Sequence, residues 1–338
     1  MRKLAFFLII FLMQGKIAHS QTTSKEFPVL KGPYLGQRPP GRTPQIFAPG
    51  IISTGLYTRD IAISNNGNEI YFCVSDASVT AIFETKQTDN RWSEPAIASF
   101  SGNGFFDFEP QISPDGNMLF FLSNRPPPKK KPKNGWYYQN IWMMARTETG
   151  WSEPQLVDEP VSTDAAEFFP SVTNENVLYF TRSKKNEKAR IYRSKFENGR
   201  FEEPEIVPII IPDTALLFNA FISPKEDFLI TCAQNIDSTN TDQDYYICFK
   251  SPDGQWSKLI KFGPEINTRG DNANSAYVTR DGKYLFFSSS RKSTDCLEIK
   301  SGTTLNAIIQ SKSKPGNGSS AIYWVDAEIV NEMRPNQF

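Results

Sequence analysis

Short apolar runs separated by polar turns dominate the chain from about residue 57 onward. One block recurs five times: an apolar residue, a Ser or Thr, a short polar turn and then an apolar-aromatic run. In one copy the turn Ile112-Ser113-Pro114-Asp115-Gly116 precedes the run Met118 to Phe121. Pro, Asp, Asn and Gly between aromatic and β-branched residues predict a β-hairpin. The five hairpins are predicted around residues 63–72, 112–121, 172–180, 222–231 and 278–287.

A second block follows each predicted hairpin. It is an apolar strand such as Asn140 to Met143, a turn, and then an aromatic residue that starts a further short strand. Its copies begin at Trp92, Trp151, Phe201 and, in divergent form, Trp256. Units of four short strands at a constant period are the signature of a β-propeller. A helix is predicted only near Leu305 to Gln310.

The two ends of the chain predict the number of blades. After Ala321 to Asp326 no room remains for the fourth strand of the last unit, whereas Thr43-Pro44-Gln45-Ile46 matches the fourth-strand segment Glu153-Pro154-Gln155-Leu156. An amino-terminal strand that completes the last blade would close the ring and remove its exposed sheet edges. The predicted fold is therefore all-β, a propeller of five four-stranded blades, with six blades as the alternative.

The first twenty residues have the pattern of a secretory signal peptide. Arg2 and Lys3 precede the apolar run Leu4 to Met13, and Ala18-His19-Ser20 supplies small residues before a cleavage site after Ser20. Ten apolar residues are too few for a bilayer core that needs about 20. We therefore expect a periplasmic or secreted protein that does not span the membrane. The predicted divisions are 1–20 signal peptide, 21–43 extension, 44–330 propeller and 331–338 tail.

Charge and histidine content exclude several function classes. The chain has 37 Lys and Arg against 37 Asp and Glu, so it lacks the basic surface that nucleic-acid binding requires. Its single histidine, His19, leaves with the signal peptide. A mature chain without histidine cannot use Ser-His-Asp catalysis or a His-ligated zinc or iron site. We expect no cofactor, no metal ion and a monomer, with calcium held by paired carboxylates at the propeller mouth as the alternative.

Four cysteines are too few for a disulfide scaffold in a chain of this length. They are Cys73, Cys232, Cys248 and Cys296, without the CxxC spacing of a metal site. Four buried thiols are expected, with a disulfide between Cys232 and Cys248 as the alternative in an oxidising compartment.

The Ser-Pro-Asp-Gly turn and the aromatic run of Ser113 to Phe121, with the following Ser123-Asn124-Arg125, resemble the WD-like repeat of the TolB propeller family. The resemblance covers nearly all of residues 44–330 and implies the fold. The short segment 21–43 has no counterpart of the amino-terminal TolB domain, so a Tol-Pal role is not expected. Propeller pectin lyases are similar too, but they rely on a histidine-bound metal. Prolyl-oligopeptidase-like enzymes share the propeller but need an α/β-hydrolase domain. Neither activity is therefore expected of this chain.

Polar residues recur just before the predicted first strand of each blade, where connections open on one face of a propeller. Arginines end several second strands and are expected to point to the same face. Three interpretations stay open for this set: turn capping and mutual pairing, which is favoured, a ligand site, or a carboxylate pair that hydrolyses a glycoside. The set is Asp60, Asp107, Glu109, Asp164, Glu167, Asn219, Asn272, Asn274, Arg125, Arg182 and Arg291.

Two insertions enlarge the same predicted face. Residues 126–133 form a proline-stiffened basic arm, and residues 292–320 are rich in Ser, Lys and Gly. Beside acidic residues, such an arm would suit an anionic glycan or a protein partner. The sequence thus favours an exported, non-catalytic scaffold that binds a protein or envelope polymer through one face. The alternative is a carbohydrate-active enzyme with acidic residues at the propeller mouth. The recurrent tryptophans are expected to pack rather than to stack on sugars.

Overall fold

The computed structural model describes residues 26–77, 79–237 and 242–336. The predicted signal peptide lies outside these residues. Five antiparallel sheets form the five blades of a propeller, and their first strands contact one another in a closed ring around the central axis. The prediction of five blades is confirmed. Within the described residues no helix is long and apolar enough to cross a membrane.

The first three blades share one pattern of three long strands followed by two strands of two residues each. Both short strands pair with the third strand, so together they take the place of the single fourth strand that the sequence predicts for each blade. Blade 1 contains Tyr57–Ile63, Glu69–Ser75, Thr80–Thr88, Arg91–Trp92 and Ala96–Ile97. Blade 2 contains Asp107–Ile112, Met118–Ser123, Asn140–Thr147, Gly150–Trp151 and Gln155–Leu156. Blade 3 contains Ala166–Val172, Val177–Ser183, Arg190–Glu197, Arg200–Phe201 and Glu205–Ile206.

The fourth and fifth blades are four-stranded. The amino-terminal strand completes blade 5, where Gln45 lies opposite Trp324 and Ile46 lies opposite Tyr323. This confirms the closure predicted from the ends of the sequence. Blade 4 contains Leu216–Ile222, Phe228–Gln234, Asp244–Phe249 and Ile260–Lys261. Blade 5 contains Ala276–Val278, Tyr284–Ser289, Ala321–Asp326 and Gln45–Ile46.

Serine and threonine side chains hold the turns between first and second strands. In blade 2 the Ser113 hydroxyl donates to Asp115 and accepts from the Met118 backbone N–H at 2.9 Å. In blade 5 the Thr279 hydroxyl donates to Asp281 at 2.7 Å. These side chains replace backbone partners in a tight turn, which explains why Ser or Thr recurs there.

The extension before the first strand crosses the seam between blades 1 and 5. The Leu30 carbonyl accepts from the Trp92 backbone N–H at 3.0 Å, and the Gly32 carbonyl accepts from the Trp92 indole at 2.7 Å. A short 3-10 helix, Pro33–Gly36, then sets Tyr34 edge-on against Tyr284 of blade 5, with ring centroids 5.2 Å apart. The segment therefore straps the two blades that closure brings together.

Within the described residues, two α-helices lie outside the blades. Leu305–Lys312, close to the predicted helix, lies in the second insertion, and Glu328–Glu332 follows the last blade strand and buries Ile329 and Val330. The alternative disulfide is absent. Cys232 lies opposite Tyr245 and Cys248 opposite Leu229, so the two thiols belong to different faces of blade 4 and are free. Cys296 is only half-buried, in contrast to the expected four buried thiols.

Candidate functional site

The predicted polar residues lie within the inner strands more often than before them. Asp60, Glu109 and Asn219 occupy the same register position in blades 1, 2 and 4, each at a β-bulge with φ between 52° and 59°. Phe169 takes this position in blade 3 with φ 53°. Ser275, just before Ala276–Val278, is the counterpart in blade 5. These five residues surround the central axis.

Hydrogen bonds run around this inner ring from blade to blade. The Asp60 N–H donates to Ser275 Oγ at 3.1 Å, and the Glu109 N–H donates to Asp60 Oδ2 at 3.3 Å. The Phe169 N–H donates to Glu109 Oε2 at 2.7 Å. A bulge leaves its N–H without a strand partner, and a carboxylate or hydroxyl from the preceding blade satisfies it. The two carboxylates therefore hold neighbouring blades together.

Arg59 joins the two carboxylates. Its Nε donates to Asp60 Oδ1 and its terminal nitrogen to Glu109 Oε1, both at 3.0 Å. All three side chains are buried or nearly so. Burial raises the pKa of Glu109 to about 7, and the Arg59 charge opposes that rise. Asp60 and Glu109, the two carboxylates considered for a catalytic acid and base pair, thus both bind the Arg59 guanidinium in the interior.

The space beside this pair is small. Asp60, Glu109, Phe169, Ser275 and Tyr277 line a central cavity of about 20 Å³. That volume holds about one water molecule. A sugar ring does not fit there while the ring of blades is closed.

A second part of the predicted set consists of buried Arg–carboxylate clamps. Arg125 pairs with Asp107 and donates to the Phe100 carbonyl. Arg182 pairs with Glu167 at 3.0 Å and donates to the Val161 carbonyl at 2.8 Å. Each clamp fixes the connection that enters its blade, because the arginine holds both that connection and the first strand. Burial raises the pKa of Glu167.

The remaining predicted residues lie around blade 5 and on the surface. Arg291 donates to the Ile266 carbonyl at 2.7 Å, in the manner of the other two arginines. Asn274 donates to the Tyr57 hydroxyl at 3.2 Å, and its carbonyl accepts from the Asn219 side chain. Asn272 is exposed, and so is Asp164, whose nearest cation is Lys130 at 3.7 Å. The structure therefore divides the set and does not bring it together as one pocket.

Both insertions lie on the face that carries the loops between second and third strands, which we call the insertion face. The basic arm and the connection between blades 2 and 3 enclose a groove of about 1330 Å³ there. Lys129, Lys130 and Tyr137 line one side, and Asp158 and Glu159 line the other. We call this space the arm groove. It is far larger than the central cavity.

Sequence reasoning missed Arg59, Asn140 and Ser162. Arg59 is a charged residue in a strand predicted to line the axis, and that position was the available signal. Asn140 and Ser162 line the arm groove, and no described residue pairs with Asn140 Oδ1 or Ser162 Oγ, which are both buried. No sequence pattern indicates this pair. Among the described residues no cluster of three potential metal ligands occurs.

No protein-family model and no curated protein matches the chain. A thermostable family-43 glycoside hydrolase structure is similar with 12% identity and a TM-score of 0.50, covering 81% of this chain and 89% of that chain. TolB from Acinetobacter baumannii is similar with 14% identity and a TM-score of 0.44 over 80% of this chain. The present chain spans 57% of that TolB. At identities of 12% and 14%, the similarity to these two structures concerns the fold alone. The chain is a five-bladed β-propeller with a fold similar to that of both structures.

Proposed function

We propose that this protein is an exported, non-catalytic propeller that binds a protein or envelope polymer through its insertion face. One observation carries the proposal: the buried carboxylates near the axis are paired inside the protein, whereas the arm groove on the insertion face is open. Ligand sites commonly have volumes of about 300–1,000 Å³, a range that the 20 Å³ central cavity does not approach. The arm groove is an open surface groove of about 1330 Å³ and has room for a ligand.

The second insertion supports the same face. Its helix Leu305–Lys312 has no buried residue, and Leu305 and Ile309 are 72% and 57% exposed. These two positions lie one turn apart on the same side of the helix. Their exposed apolar surface lies in the second insertion, on the face that we propose for binding.

The test is capture from an envelope extract with the purified chain 21–338 as bait. Changing the four arm lysines to serine should reduce the captured amount, and the difference should be larger at low salt because exposed charges are then least screened. The matched control removes four lysines from the opposite face. The arm variant changes Lys129, Lys130, Lys131 and Lys133, and the control changes Lys86, Lys195, Lys225 and Lys283. Equal capture by the arm variant and wild type would contradict the proposal.

The alternative function is glycoside hydrolysis by the acidic residues. Its support is the convergence of Asp60 and Glu109 on Arg59, together with the raised pKa of Glu109. Such catalysis needs carboxyl groups about 5–10 Å apart around a bound sugar. A polysaccharide whose hydrolysis is lost in Glu109→Gln or Glu167→Gln, with the circular dichroism spectrum unchanged, would establish the alternative. We expect no turnover.

A further inference from the structure

The extension that straps blades 1 and 5 together borders a second groove, on the face opposite the insertion face. Residues of the segment 31–39 line it, together with the turns between first and second strands in blade 1 (63–68) and blade 5 (279–284). Its volume of about 740 Å³ gives room for a small molecule. We call this space the strap groove.

The charges that line the strap groove leave an excess of positive charge. Lys31 and Arg38 come from the strap and Arg280 from the turn of blade 5, and no described carboxylate pairs with any of the three. The remaining charged residues of the described lining, Lys283 and Asp281, pair with each other at 2.9 Å. Three cations thus meet in one groove, and an anion bound between them would relieve their mutual repulsion.

Arg280 is held by a neutral group. Its terminal nitrogen donates to Asn65 Oδ1 at 2.6 Å, and the Asn65 amide donates to the Pro114 carbonyl of blade 2 at 3.0 Å. An amide fixes the guanidinium without neutralising it, as a carboxylate would. The described residues accept no other hydrogen bond from Arg280, so its remaining N–H groups can bind a ligand.

Asn66 keeps a negative charge out of the same groove. It stands where blades 2 and 5 have Asp115 and Asp281 in the repeat. Its Oδ1 accepts from the Ser64 hydroxyl at 2.7 Å and from the Asn68 N–H at 3.1 Å, so the amide makes the turn bonds that the aspartates make elsewhere. An aspartate would hold the turn equally well but would place a carboxylate beside the three cations. The Asn66 amide nitrogen is a further donor at the groove.

The strap fixes the backbone beside its two cations. The carbonyl of Gly32, next to Lys31, accepts two side-chain hydrogen bonds from blade 1. The amide of Gln37, next to Arg38, hydrogen-bonds the backbone at and just after the closing strand through both its nitrogen and its oxygen. A ligand would therefore order little additional chain, which lowers the entropic cost of binding.

Three cations suit a phosphate group better than a carboxylate group. A phosphate monoester has a charge of about −1.5 to −2 at pH 7 and three acceptor oxygens, whereas a carboxylate has one charge and two oxygens in a plane. Tyr34 and Tyr284 also line the groove and are only partly buried, so they offer apolar surface to the organic part of a ligand.

We propose that the strap groove binds the phosphate group of a small phosphorylated molecule, held by Lys31, Arg38 and Arg280 together with the Asn66 amide. This site goes beyond the proposed function and is independent of it, because it lies on the opposite face.

The test measures the binding of phenyl phosphate and benzoate to the chain 21–338 by calorimetry at low salt. The two ligands share a ring and differ mainly in the anionic group. We expect phenyl phosphate to bind at least about tenfold more tightly than benzoate. Equal affinity, or no binding of phenyl phosphate, would overturn the proposal. Vesicles that contain phosphatidic acid present the same phosphate group on a membrane, and tighter binding to them than to phenyl phosphate would overturn the choice of a small molecule.

Two variants test the groove itself. Arg280→Gln should weaken phenyl phosphate binding about tenfold, and Asn66→Asp should weaken it to a similar extent because it adds a carboxylate while keeping the turn bonds. The matched control is Lys225→Gln, which removes an exposed lysine from the corresponding turn of blade 4, outside the groove, and should leave the affinity unchanged. Circular dichroism checks that each variant is folded. Unchanged affinity in Asn66→Asp, or an equal loss in Lys225→Gln, would overturn the proposal even if Arg280→Gln failed to fold.

Discussion

The inner ring places non-glycine residues in a backbone conformation that favours glycine. Asp60, Glu109, Phe169 and Asn219 all have φ between 52° and 59°. Asp and Asn tolerate this region better than Phe does. Strained positions often mark functional sites, but here the N–H of each residue is used in a bond to another blade. The conformation therefore serves the contact between blades.

Glu109 should make stability depend on pH. Its folded-state pKa of about 7 lies above the unfolded value, so the folded protein binds the proton more tightly. This contribution is complete below about pH 4.5 and is lost as the pH rises through 7. Between pH 5 and pH 8, the unfolding free energy of wild type should therefore fall by about 1 to 3 kcal/mol more than that of Glu109→Gln. Urea denaturation at both pH values measures this difference. A difference that is constant or of opposite sign would show that Glu109 does not titrate there.

Trp151 should act as a packing residue. Its indole donates to the Tyr71 hydroxyl of blade 1 at 2.9 Å, and the Arg146 guanidinium lies 3.7 Å from the centroid of the Trp151 ring. Because the ring is only half-buried, Trp151→Ala should cost about 3 kcal/mol, the lower end of the range for large aromatic residues. Trp151→Phe should cost about 1 kcal/mol, since it loses mainly the hydrogen bond. Chemical denaturation measures both, and an unchanged midpoint for Trp151→Ala would exclude this role.

At the scale of residues, the sequence predicts which residues lie near the axis but not how they pair. Asp60, Glu109 and Asn219 follow from the repeat, because each lies three residues before the Ile that starts its turn. Their pairing does not follow, since Glu109 takes its guanidinium partner Arg59 from the neighbouring blade and Asp60 donates to Ser275 of the last blade. The favoured interpretation, mutual pairing, holds for most of the set, whereas Asp164 and Asn272 are exposed.

At the scale of elements, most strands of the fold can be predicted from the sequence repeat. The matched segments around Gln155, Glu205 and Gln45 are strands of two residues each in the structure, at corresponding places in their blades. The strap formed by Leu30 to Gln37 had no such signal, because its Gly-Pro-Tyr-Leu-Gly sequence occurs once and makes irregular contacts. Elements that repeat can be predicted from one another, and elements that occur once cannot.

Deleting residues 43–52 should open the ring. The deletion removes Gln45–Ile46 and exposes an edge of blade 5, and it also removes the fully buried Phe47, which packs edge-on against Phe286 with centroids 5.0 Å apart. Aggregation or a large drop in melting temperature should result, as light scattering and thermal denaturation would show. Deleting residues 21–28, which precede the strap, is the control and should change little. A monomeric, equally stable 43–52 deletion would contradict the role of closure.

At the scale of the whole molecule, the two faces of the propeller differ in the length of their loops. One face carries tight turns held by Ser and Thr, and the insertion face carries the long loops, the arm groove and the exposed helix. The sequence predicted this asymmetry from the positions of the two insertions. It could not predict the groove, because the groove forms between segments of blades 2 and 3 that only the fold brings together.

Ring closure also sets an order of events during synthesis. Ser53 lies beside the closing strand and exchanges hydrogen bonds with Ile322, its partner 269 positions later. At about 5–20 residues per second, this partner leaves the ribosome roughly 15 to 55 s after Ser53. Until then blade 5 has no complete sheet, and the growing chain presents unpaired strand edges. The propeller can therefore close only after almost the whole chain has been made. The strand Gln45–Ile46 stays unpaired until Ala321–Asp326 has been synthesised.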